Sequence, residues 1–213
     1  MPMTYSAHLA LYLVLLIGII ALPGMDMAFV LGNALAGGAR RGWAAVAGIV
    51  CGGLCHTALA SLGVGAVLRS SPWLFNALLL SGAAYLAWLG VGLLRNGAPS
   101  ALVPAEAATA QKTRTTVLQG MAVCLLNPKA YLFMLAVFPQ FVRPGYGPLL
   151  GQVVVLGLMT AGVQVLIYGF ITMAAARTRQ WLGASGRWQT VLMRAVGMLL
   201  TAGAVWSVVT VRW

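Results

Sequence analysis

The chain has 213 residues, of which 61% are hydrophobic and only 7% charged, where a soluble domain carries about 25% charged residues. So little polar surface cannot cover a water-soluble globule, which makes lipid the solvent for most of the chain. Thirteen Lys and Arg stand against two acids, Asp26 and Glu106, for a net charge of +11; they lie singly or in short groups between apolar stretches, the pattern of cytoplasm-facing loops and not of a nucleic-acid-binding stripe.

At about 20 apolar residues per helical span there is room for about six spans in one membrane domain. The first apolar segment covers 8–36. No basic residue precedes it between Met1 and Ser6, and it overruns the core of a signal peptide, so it is expected to be a retained span. Segments 42–68 and 73–95 follow. A polar stretch at 96–115, rich in Pro, Ala and Thr and holding Glu106, Lys112 and Arg114, then divides the chain. Segments 116–142, 148–176 and 190–211 complete the second half. The expected architecture is an all-α integral membrane protein: repeat one at 1–95, a cytoplasmic linker at 96–115 and repeat two at 116–213.

Segments one and four are overlong and interrupted. A straight helix over 8–36 would rise about 43 Å against a hydrocarbon core of about 30 Å. Pro23-Gly24 falls in the middle of the first and Asn127-Pro128 in the middle of the fourth. Proline removes a helical hydrogen bond and clashes with the preceding turn. Each helix is therefore expected to break near the bilayer midplane, where freed backbone must line a cavity or be buried in protein. The halves also match weakly: Gly48 and Gly53 fall over Gly157 and Gly162, and Gly82 near Gly197. A three-span unit repeated in one chain must cross in opposite directions, which predicts inverted repeats with the two breaks facing one another.

Orientation follows from loop charge. Arg40, Arg41, Arg95, Lys112, Arg114, Arg177, Arg179 and Arg187 lie on one side, and Arg69, Arg143 and Arg212 on the other. The excess places the linker inside and both termini outside. Trp43, Trp73, Trp181, Trp188 and Trp213 fall near span ends, as an aromatic belt would. Small-residue pairs such as Gly48/Gly52, Gly53/Thr57, Ser61/Gly65 and Gly157/Ala161 suit close helix packing within the chain or a homodimer, and leave the oligomeric state open. Cys51, Cys55 and Cys124 form no disulfide framework. Cys51 and Cys55, one turn apart with His56 following, read as small residues at a helix contact, because a metal site needs three or four converging ligands.

Asp26 is the only acid within a span and Lys129 the only lysine, each beside a proline break. Each costs about 2.5–3.5 kcal/mol at a helix centre, so they are expected to be paired, hydrated or used. One alternative is a locking Asp26–Lys129 ion pair that never touches substrate. Asn33, Asn127, Tyr131, Gln152, Thr160 and Gln164 offer polar company, and His56 lines the path or caps a packing contact. A zwitterionic amino acid asks for a cation or half-helix N-terminus at its carboxylate and an anion or free carbonyls at its ammonium. The expected path residues are Pro23, Gly24, Asp26, Asn33, Asn127, Pro128, Lys129, Tyr131 and Gln164, with no metal and no cofactor.

The run Leu22-Pro23-Gly24-Met25-Asp26-Met27-Ala28-Phe29-Val30-Leu31-Gly32, with Gly37-Gly38-Ala39-Arg40-Arg41-Gly42, resembles the first signature of the LysE/RhtB amino-acid exporters. Leu126-Asn127-Pro128-Lys129-Ala130, continuing to Phe138-Pro139-Gln140-Phe141, resembles the second, and 81–90 is similar as well. The resemblance runs nearly full length. It implies six spans in inverted repeats and export of amino acids or related amines driven by the proton motive force. It places functional weight on Pro23, Gly24, Asp26, Asn127, Pro128 and Lys129. The family usually has a second proline and a preceding threonine in the first motif, where this chain has Met25 and Leu22; the break is softer and a hydroxyl is lost.

Secondary export of a small amino acid or derivative across a bacterial inner membrane, with protons as coupling ion, is thus the leading expectation. Efflux of a metal or other ion would want more carboxylates, thiolates or imidazoles than these spans supply. An intramembrane enzyme would need a nucleophile–base pair or a metal triad, and neither HExxH nor GxSxG occurs. A purely structural membrane subunit would have no reason to keep two charges beside prolines.

Overall fold

The computed structural model describes residues 4–62, 71–96, 113–181 and 186–209, and within them every regular element is helical. In chain order these are α1 (Tyr5–Ala21), α2 (Met25–Ser61), α3 (Pro72–Asn96), α4 (Thr113–Leu125), α5 (Pro128–Ala136), two short 3-10 turns (Phe138–Phe141 and Pro144–Tyr146), α6 (Leu149–Trp181) and α7 (Gly186–Val209). Glu106, Lys112, Arg69, Arg212, Trp213 and Gly65, with most of the 96–115 linker, lie outside the described residues.

Local chemistry sets the helix ends. The Thr4 hydroxyl caps α1 by accepting from the Ala7 N–H at 3.3 Å. Between α1 and α2, Leu22, Pro23 and Gly24 are not helical, and Gly24 is extended at φ −171°. Asn127 caps α5, its Oδ1 accepting from the Lys129 N–H at 3.0 Å, and Pro128 sits at the first helical position, where its missing N–H costs nothing. Across this junction α4 and the stretch beginning at Pro128 are bent by 57°.

Helix α2 departs from expectation. The sequence suggested a loop between segments ending at 36 and beginning at 42, yet helix runs on either side of one non-helical residue, Gly38, at φ 71°. A left-handed residue turns the chain within a single position, and only glycine takes that conformation without a Cβ penalty. The 37 residues of α2 would extend about 56 Å if straight, well beyond a hydrocarbon core of about 30 Å.

Helices α2 and α6 are each long and apolar enough to cross a membrane, and α4 with α5 makes a third such unit if the bent pair is one span. Leu11, Val14, Leu158, Leu166, Phe170 and Val209 are exposed, an apolar surface that lipid, not water, accommodates. The core forms where α2 packs on α4 and α6, while α3 packs on α7. Glycine permits the closest approach: a Cβ at Gly48 would overlap the Val117 carbonyl oxygen, and one at Gly120 would stand 2.8 Å from the Ala45 carbonyl. α2 and α6 run antiparallel, Gly42 meeting Thr172, Gly53 meeting Gln164 and Thr57 meeting Gly157. The expectation that Cys51 and Cys55 sit at a helix contact is overturned. Both are exposed, because the contact face of α2 is made by Gly48, Gly52 and Gly53, and it is Cys124 that is buried, against Gly52.

Candidate functional site

A cavity lies where the two helix junctions meet. Leu16, Ile19 and Ile20 of α1, Asp26, Gly53 and His56 of α2, and Cys124 of α4 form part of its wall; Lys129, Ala130, Phe133 and Met134 of α5 and Thr160, Gln164 and Tyr168 of α6 form the rest. It holds about 40 Å³ of water-accessible space, enough for a few waters and too little for an amino acid without opening.

Lys129, in the first turn of α5, reaches back to the first junction and donates from Nζ to the Leu22 carbonyl at 2.9 Å. That carbonyl belongs to the interrupted backbone ahead of α2, so the lysine satisfies an acceptor that the break sets free. The ammonium has room because residue 24 is glycine: a Cβ there would stand 3.3 Å from Nζ. Gly24 offers no side-chain cap to α2, whose first N–H groups thus keep their donor capacity on the same side as the ammonium.

Asp26, in the first turn of α2, is 4% exposed. The Tyr168 hydroxyl and the Asn127 carboxamide flank its carboxylate, and the Lys129 charge acts on it electrostatically. The Asn127 amide approaches without completing a hydrogen bond: Asp26 Oδ1 and Asn127 Nδ2 are both buried without a partner. Gln164 Oε1 is in the same condition, against the bare backbone of Gly53, where a Cβ would come within 2.7 Å of it. Buried polar atoms without partners are costly and rare. Asp26 Oδ1 and Gln164 Oε1 belong to the cavity wall and Asn127 Nδ2 to the junction beside it, while His8 Nε2 and Thr172 Oγ1 are in the same condition elsewhere.

His56 Nε2 lies 3.0 Å from the Cys124 carbonyl, and its ring packs edge-on against Tyr131 with centroids 4.7 Å apart. The Tyr12 hydroxyl meets the Thr160 hydroxyl of the cavity wall at 3.0 Å. Beyond it His8, Phe141 and Tyr146 form an aromatic cluster, with His8 centroids 4.6 Å and 5.0 Å from its neighbours.

The structure thus gathers Asp26, Lys129 and Gln164 on the cavity wall and sets Pro23, Gly24, Asn127 and Pro128 in the two junctions around it. Tyr131 packs against His56 of the cavity wall. Asn33 stands apart: its Nδ2 donates to Phe29 O at 2.8 Å and its Oδ1 accepts from Arg41 Nε at 2.8 Å, bridging the Gly38 kink. Gln152 is likewise occupied in holding the backbone at Arg143 and Gly147. Sequence reasoning overlooked Tyr12 and Tyr168. The available signal was the four-residue spacing of Thr160, Gln164 and Tyr168, which puts three polar groups on one face of α6.

Fold and cavity together define the class: a multi-pass helical membrane protein with a cavity between its helices that Asp26 and Lys129 line. The model of the LysE type translocators matches residues 17–209, and the chain belongs to that family. It is 35% identical over 91% of its length to an uncharacterized membrane protein of Pseudomonas aeruginosa, also covered to 91%. A homoserine/homoserine lactone efflux protein of Salmonella typhi is 31% identical over 75% of the chain and 76% of the relative. A leucine efflux protein of Klebsiella pneumoniae is 38% identical over 62% of the chain and 61% of the relative. No solved structure matches the chain.

Proposed function

We propose that the chain is a secondary transporter that exports a small amino acid or derivative from the cytoplasm across the bacterial inner membrane, driven by the proton motive force. Its spans form two inverted three-helix repeats, with α1 and the first part of α2 as one broken span and α4 with α5 as its counterpart. Both termini face the periplasm and the 96–115 linker the cytoplasm. The observation that carries this reading is the pair of buried, unpartnered acceptors, Asp26 Oδ1 and Gln164 Oε1, which share one cavity with the Lys129 ammonium. The efflux proteins among its relatives act on amino acids by name, which supports the same substrate class.

In this reading the substrate ammonium lies between Asp26 and Gln164, completing the hydrogen bonds those oxygens lack. The carboxylate takes the Lys129 ammonium and the free N–H groups at the start of α2, both favourable to an anion. Export needs the cavity to open alternately to each side. In the described state the Tyr12 and Thr160 hydroxyls meet beside the cavity, and the His8 ring packs on Phe141. A proton that takes the place of the substrate ammonium at Asp26 keeps the site from returning with an uncompensated carboxylate, which gives coupling a physical basis.

The test is flux in liposomes reconstituted with the purified chain. Radiolabelled amino acid should exchange against an unlabelled internal pool, and an imposed pH gradient should drive net accumulation. Exchange unaffected by the gradient would remove the coupling; absence of exchange for every amino acid would remove the function.

A further inference from the structure

We infer that the cavity selects an amino acid with a short aliphatic side chain, an inference that rests on the export reading and narrows it. The groups suited to an ammonium and a carboxylate come from Asp26, Gln164, Tyr168 and Lys129. Once they are engaged, the wall left to the substrate side chain is mostly apolar: Leu16, Ile19 and Ile20 of α1 and Phe133 and Met134 of α5, with His56, Cys124 and Thr160 as its polar members. No charged side chain besides Asp26 and Lys129 is among the described residues of this wall. A cationic or anionic side chain would therefore enter apolar surroundings without a counter-charge, at a cost of several kcal/mol.

Hydroxylated side chains are disfavoured for a subtler reason. Thr160 carries the hydroxyl at that end of the cavity, and its proton is committed to the Leu156 carbonyl at 2.9 Å. Tyr12, 3.0 Å away, must then be the donor of the bond between the two hydroxyls, which commits its proton as well. The Tyr168 hydroxyl stands beside the Asp26 carboxylate. At the Thr160 end a substrate hydroxyl would leave water for two hydroxyls whose protons are already in use. Met134 adds an adaptable thioether chain that can follow aliphatic shapes of different branching.

Valine and threonine are nearly isosteric, so comparing them removes size and isolates the hydroxyl. Liposomes containing the purified chain are loaded with valine, leucine, threonine, homoserine, lysine or glutamate, and entry of radiolabelled valine is followed by counterflow. Valine and leucine should drive entry about 10- to 100-fold more efficiently than threonine, the range an apolar pocket gives against a hydroxyl isostere, and lysine and glutamate should drive none. In Ile20→Thr, which puts a new hydroxyl on the wall, the valine-to-threonine ratio should fall. Threonine or lysine equal to valine, in liposomes that do exchange, would overturn the inference and leave export standing. Exchange of no amino acid at all would overturn export and this inference with it.

Discussion

Asp26→Asn separates a binding carboxylate from a structural lock. If Asp26 served only to neutralise Lys129, its loss would leave a half-buried cation without a counter-charge, where a fully buried one costs about 3–5 kcal/mol of stability. The structure argues for a smaller loss: Lys129 Nζ keeps its hydrogen bond to the Leu22 carbonyl at 2.9 Å, and asparagine can still meet the Tyr168 hydroxyl and the Asn127 carboxamide that flank position 26. The variant should express at wild-type level, with a thermal-stability change well under about 2 kcal/mol. Its loss should appear in binding. A hydrogen bond to a charged group contributes about 1.5–3 kcal/mol, which corresponds to about 10- to 150-fold weaker substrate affinity and a similar loss of exchange at low substrate. Thermal denaturation in detergent and counterflow in liposomes read the two effects separately. The charge-swapped pair, Asp26→Lys with Lys129→Asp, should remain inactive, because exchanging the charges reverses the ends that a zwitterion must meet. Wild-type exchange by Asp26→Asn or Lys129→Met at matched expression, or rescue by the swap, would refute the reasoning.

Other substitutions probe the frame around the site. Gly48→Ala should lose about 1–3 kcal/mol of thermal stability or fail to accumulate, since its Cβ would overlap the Val117 carbonyl, whereas Gly162→Ala, with nothing within 4 Å, should match wild type in the same melts. Gly38→Ala should cost about 1–3 kcal/mol, because φ 71° with ψ −166° is a conformation nearly confined to glycine. Gly24→Val should spare expression yet lower exchange, by pressing on the Lys129 ammonium that stands 3.3 Å from the Cβ position. Cysteine introduced at Arg143 should react with a membrane-impermeant reagent in intact cells and cysteine at Ser100 should not; the reverse pattern would invert the proposed topology.

Much of the site was legible because its signals are chemically expensive. A carboxylate and an ammonium inside apolar segments, each next to a proline, cannot be there by drift alone, and Asp26 and Lys129 do line one cavity. Which face of a helix meets which neighbour was less legible. In a bilayer both the buried and the lipid-facing sides are apolar, so hydrophobic periodicity carries little direction. Asn33 therefore reads as a path residue, whereas it braces Arg41 across the Gly38 kink. Cys51 and Cys55 were assigned to a contact that their glycine neighbours make. Tyr12 gives no sign in the sequence, because a single hydroxyl in an apolar run shows its purpose only once its partner is known. The Gly38 turn was hidden by its setting, a Gly-Gly and Arg-Arg stretch that reads as a loop whether or not helix continues through it.

The central claim is that this chain moves an amino acid out of the cytoplasm through the cavity between Asp26 and Lys129. The most direct measurement is the amino-acid content of cells and medium, by mass spectrometry, for a strain lacking the chain and for strains expressing wild type or Asp26→Asn at equal levels. Wild type should lower one or a few internal pools and raise the same compounds outside, and Asp26→Asn should match the deletion. Unchanged pools with wild type present, or excretion by Asp26→Asn equal to wild type, would contradict the account.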